Sequence, residues 1–119
     1  FLEISTNKKQ YKPARCNYSE SGYVDIAMGV GGVSVRADFF DDICFEIPEI
    51  LWPDDDIWLS GNFIRQGKGI WASNLIKMPV DTGASNTSGL AHSIINGKHR
   101  NQTALDGILY MQKTYDIWK

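Results

Sequence analysis

Three adjacent acids, Asp54, Asp55 and Asp56, are the most unusual chemical feature of the sequence. Like charges in a row repel, and a folded chain keeps them only where a helix dipole or a reaction makes use of them. Three uses fit. At a helix start, Pro53 followed by acids makes a good entrance, with the carboxylates facing the partial positive charge of the first turn. In catalysis, one carboxylate serves as a general base, and crowding by its neighbours raises its proton affinity in the useful direction. A divalent-metal site is the third, because hard cations favour carboxylate oxygen.

The second feature is the stretch Gly29-Val30-Gly31-Gly32-Val33-Ser34. Glycines after a strand let backbone amides approach a phosphate, but a dinucleotide fingerprint needs glycine where Ser34 stands, and Arg36-Ala37-Asp38 opens no long helix. A tight turn remains, or a backbone lying against some other ligand. His92 and His99 are the only imidazoles, and neither belongs to an H-x-x-x-H or H-E-x-x-H pattern. No G-x-S-x-G elbow supports a serine nucleophile. Cys16, beside Arg15, and Cys44 lack metal-ligand spacing; buried thiols are their commonest fate, with a disulfide as the alternative. Asn-x-Ser/Thr triplets at Asn17, Asn86 and Asn101 accept glycans only in a secretory compartment.

These residues need elements to hold them. Asp54-Asp55-Asp56 opens the clearest helix, continued by Ile57, Leu59, Phe63 and Ile64 and stopped by Gly67. Strand propensity marks Tyr23 to Met28 and Val33 to Val35, with the glycines breaking the chain between them, and Lys68 to Leu75 returns as a strand through Ile70-Trp71. Phe39 to Ile47 predicts a short helix closed by Pro48. Residues 81–90 read as a mobile loop. A last helix over about residues 102–117 is expected to bury Leu105, Ile108, Leu109, Met111 or Gln112, and Tyr115. The segment from Ser5 to Ser21, with Lys8, Lys9, Lys12 and Arg15 around Pro13, reads as a basic loop or arm.

Composition bounds the partners. The 119 residues carry 12 Lys plus Arg against 14 Asp plus Glu and are 43% hydrophobic, the profile of one globular domain. The net charge of -2 provides no basic footprint for nucleic acid. The longest apolar stretch, Ile26 to Val35, is broken by glycines and falls short of the roughly 20 residues of a membrane span. Phe1 in place of Met, with no signal-like start, reads as a piece of something longer, and a cytoplasmic location is expected.

Taken together, Gly31-Gly32-Val33-Ser34, then Asp54-Asp55-Asp56-Ile57-Trp58-Leu59, then Gly67 after one helix resemble the second half of nucleotide-sugar glycosyltransferases of the GT-A fold. Galactosyltransferase-like members carry a Gly-Gly-Val-Ser segment followed by an acidic helix start of the form Glu-Asp-Asp-Asp-Ile, and bacterial relatives carry an Asp-Asp-Ile-Trp version. Pro53 stands here where the Glu would be.

The resemblance covers about positions 23 to 75 and implies an α/β fold: part of a GT-A fold, with a short mixed sheet and flanking helices. It further implies that Asp54 is the acceptor-activating base of an inverting transfer, with Asp55 as the fallback. Gly31, Gly32, Val33, Ser34, Asp56 and Trp58 would line the donor and acceptor sugars, Trp71 being the other candidate ring, and His99 would match the late metal-binding histidine. The implied partners are a nucleotide sugar and a glycan or polysaccharide acceptor, and the implied cofactor is Mn or Mg. Enzymes of this group carry, ahead of these motifs, a nucleotide-binding half ending in Asp-x-Asp. None precedes position 23, so the chain is expected to be the acceptor-side piece, inactive alone and exposing sheet edges that favour a homo-oligomer.

Overall fold

Helix and strand propensities are realised around one apolar cluster. The structure, a computed structural model, describes the backbone of residues 2–3 and 8–9, residue 17, and residues 19–119. Most of the basic arm, Cys16 and therefore any disulfide to it lie outside the described residues.

The strongest element is α1, Asp55–Arg65. Asp55 and Asp56 occupy its first turn, where their charge complements the helix dipole. It ends where the sequence says it should. Gly67 takes φ +74°, and the amides of Gly67 and Lys68 donate to the carbonyls of Ile64 and Phe63, each at 2.9 Å. That paired closure requires a left-handed residue, which glycine adopts without a Cβ penalty. A 3₁₀ helix, Glu49–Asp54, leads directly into α1, and α3, Arg100–Tyr115, packs across both. Ile26, Leu51, Ile57, Trp58 and Met111 form the core between them.

Packing of α3 differs from the expected pattern. Its buried residues are Thr103, Gly107 and Met111, spaced four apart on one face, while Leu105 and Leu109 are exposed. Gly107 explains the choice, since a Cβ there would stand 2.6 Å from Leu51 Cδ2. The helix approaches the 3₁₀ segment too closely for a leucine on that face.

The chain is α/β in composition, but among the described residues its strands make no mixed sheet. They form three antiparallel two-stranded ribbons: Leu2–Glu3 (β1) with Lys8–Lys9 (β2), Gly22–Val24 (β3) with Ile70–Ala72 (β4), and Ile94–Ile95 (β5) with Lys98–His99 (β6). The ribbon β3–β4 sets Tyr23 opposite Trp71, whose rings meet edge to face at 5.1 Å. Val33 to Val35 belongs to no strand among the described residues, and the short helix expected over Phe39 to Ile47 resolves into 3₁₀ turns at Ala37–Phe39 and Asp42–Phe45. Asp41 caps the second turn by accepting the Cys44 amide. The loop of residues 81–90 contains one helical turn, α2, Ser85–Ser88. No helix among the described residues is long and apolar enough to cross a membrane.

Candidate functional site

The acid triplet divides into three different environments. Asp54 sits at the N-cap position of α1, yet its side chain caps nothing. Its carboxylate, 8% exposed, turns instead toward α3, where Oδ1 pairs with the Arg100 guanidinium at 2.9 Å. Oδ2 is closed to solvent and accepts no hydrogen bond. A buried oxygen without a donor costs about 1–3 kcal/mol, and native folds keep few of them. Asp55 faces solvent. Asp56 is partly buried, and its Oδ1 accepts the Gly29 amide at 3.0 Å. Burial pushes the Asp56 carboxyl above the ordinary carboxylate value, against the opposing pull of the Gly29 hydrogen bond.

That hydrogen bond connects the two motifs. The segment Gly29–Gly31 forms a 3₁₀ turn and Gly32 follows at φ +85°, so the chain bends there. A cavity of about 530 Å³ lies against the bend. Gly31, Gly32, Val33 and Ser34 form one wall of it, and Ile26, Phe63, Ile70 and Trp71 contribute elsewhere. None of the three acids lines it. The glycine segment therefore separates the cavity from the helix entrance and touches the acids through Asp56.

Two candidates from the sequence lie elsewhere. Trp58 is 2% exposed in the core, and its indole N–H donates to the Cys44 carbonyl at 2.8 Å, so it has no ring face for a sugar. The spacing that placed it after the acids also places it on the inward face of α1. His99 is exposed at the end of β6. Among the described residues no three His, Cys, Asp or Glu side chains gather, at His99 or elsewhere. Asp54 and Asp56 each commit one oxygen to a protein donor. Among the described residues these side chains do not assemble the donor set of a divalent cation.

Sequence reasoning missed Arg100 and Lys77. Arg100 carries no motif and reaches Asp54 only because α3 folds across α1. Lys77, which lines the cavity, belongs to a strand-poor stretch with no periodic signal. Cys44 is a buried free thiol, and burial raises its pKa, consistent with an inert packing role. Compared with protein-family models, curated proteins and solved structures, the chain matches none of them.

Proposed function

We propose that the chain is the acceptor-side part of a nucleotide-sugar glycosyltransferase of GT-A type, acting in the cytoplasm on a glycan or polysaccharide hydroxyl. One observation carries the reading: Asp54, the position that the resemblance assigns to the base, holds a buried carboxylate with one oxygen fixed by Arg100 and the other unpartnered. Such a cost is one mark of a site that a reaction uses.

In this reading the acceptor hydroxyl donates to Asp54 Oδ2 and loses its proton there as its oxygen attacks the anomeric carbon, expelling the nucleoside diphosphate. Because Oδ2 is closed to solvent, the hydroxyl reaches it only as side chains at the helix entrance shift. Arg100 orients the carboxylate, Asp56 holds the glycine segment, and Gly31 to Ser34 provide a wall on which the acceptor lies. Asp55, in solvent, is the alternative base. The divalent metal belongs to the donor side of the natural protein, and a homo-oligomer covers the free ribbon edges.

The test is transfer of labelled sugar from uridine, guanosine and thymidine diphosphate sugars by the natural gene product. Transfer to a glycan hydroxyl supports the reading, and no transfer across the panel overturns it. A second reading, a noncatalytic carbohydrate-binding module, draws on the exposed Tyr23–Trp71 ring pair on the ribbon. Nucleotide-independent binding on a glycan array, lost in Trp71→Ala, supports that alternative.

A further inference from the structure

The chemistry of the cavity is more specific than its position. Its walls are built from Val24, Ile26, Val30, Val33, Phe63 and Ile70 together with the glycine backbone, and among the described residues Lys77 is the one charged residue that lines it. Its volume of about 530 Å³ lies within the roughly 300–1,000 Å³ of small-molecule sites, which pair apolar walls with a few orienting polar groups. Among the described residues Lys77 makes no ion pair, and no carboxylate lines the cavity. A free sugar fits such walls poorly, because its hydroxyls would lose water without finding partners. An apolar chain ending in an anion satisfies both the walls and the lysine.

We infer that the cavity binds a single-chain anionic amphiphile, its apolar chain against the valine, isoleucine and phenylalanine walls and its phosphate or carboxylate at Lys77. The inference rests on the glycosyltransferase reading in one respect: the amphiphile is the acceptor's aglycone, and its sugar passes around the glycine segment to the helix entrance. A lipid-linked acceptor and a free fatty acid share this chemistry, and transfer distinguishes them.

Calorimetric titration below the critical micelle concentration tests the site, with octyl phosphate as the probe, octyl glucoside as the neutral-headed control and inorganic phosphate as the headgroup alone. Octyl phosphate is expected to bind, octyl glucoside more weakly, and inorganic phosphate not at all. Shortening octyl to hexyl weakens binding by about fifteenfold, from about fourfold for each of two buried methylenes. Lys77→Gln lowers octyl phosphate affinity by about threefold and leaves octyl glucoside unchanged, as expected for an exposed charge pair. Gly31→Leu tests the cavity independently, because a Cβ at Gly31 meets only Ile76 Cγ2 at 3.9 Å and the longer side chain fills the space. It is expected to abolish binding of both octyl ligands.

No binding of octyl phosphate, or equal binding to wild type and Gly31→Leu, overturns the inference. Self-association that Val33→Asp abolishes, without octyl phosphate binding, assigns the cavity to a second copy and overturns it too. Binding of octyl phosphate by a natural gene product that transfers no sugar supports the site and removes the acceptor role. Transfer to soluble sugars with no octyl phosphate binding removes the site and leaves the glycosyltransferase reading standing.

Discussion

Asp56 Oδ1 accepts the amide hydrogen of Gly29 at 3.0 Å, joining the first turn of α1 to a glycine segment 27 residues earlier in the chain. A Cβ on Gly29 would stand 3.1 Å from the same oxygen, so glycine lets the two approach. The acid triplet and the glycine segment, which walls the cavity, are thereby tied together by this contact.

Titration should separate Asp56 from Asp41. Burial raises the Asp56 carboxyl above 3.8, so the folded chain binds that proton more tightly than the unfolded chain. Its ionisation opposes folding at neutral pH, and the penalty fades as the pH falls through the raised value. Asp41 runs the other way: its hydrogen bond from Arg65 lowers its pKa below 3.8, giving stability that is present above 3.8 and lost as the pH falls through the lower folded value. Carbon-detected NMR of the carboxyls should place the Asp56 midpoint above that of Asp41, with the Gly29 amide shift following Asp56. The reverse order contradicts the assignment.

Arg100→Met should destabilise the chain by about 3 kcal/mol, because it strands a buried Asp54 carboxylate. The low end of the range applies, since the Arg100 side chain keeps 26% of its surface in water. Adding Asp54→Asn should recover most of the loss. Denaturant midpoints for the two single variants and the double variant measure the coupling, and simple additivity would count against the ion pair.

Trp58→Phe should cost about 2 kcal/mol through the lost volume and the unpaired Cys44 carbonyl. Glycan affinity should not change, because the ring is enclosed. Trp71→Phe, on the exposed ribbon, should stay within about 0.5 kcal/mol of wild type. Thermal melts compared with glycan-array signals check both; a stability-neutral Trp58→Phe that weakens glycan binding would return Trp58 to the site.

Gly107→Val should destabilise by about 2 kcal/mol, because branching at a position 2.6 Å from Leu51 Cδ2 forces α3 away from the 3₁₀ helix Glu49–Asp54. Urea unfolding measures it. An unchanged midpoint would mean that α3 does not pack there.

Helix α1 was legible in the sequence at both ends, since acids at its start and Gly67 at its stop act locally through the dipole and the left-handed closure. The β3–β4 ribbon was legible as two strand-prone stretches. The face of α3 was not: periodicity favoured Leu105 and Leu109, but the close approach to Leu51 selected Gly107, and glycine carries no hydrophobic signal. At the candidate site, the acids and the glycine segment could be read from residue type. The ion pair of Asp54 with Arg100 depends on tertiary packing across 46 positions, and the enclosure of Trp58 depends on which face of α1 meets the core. Neither leaves a mark in local sequence.

Turnover of the natural gene product carrying Asp54→Asn tests the central claim most directly, measured as labelled sugar transferred per enzyme alongside donor affinity by calorimetry. A general base that has lost its proton-accepting oxygen should cost about 10²- to 10⁴-fold in kcat, with donor affinity held within about twofold. Wild-type turnover in the Asp54→Asn protein would contradict the account.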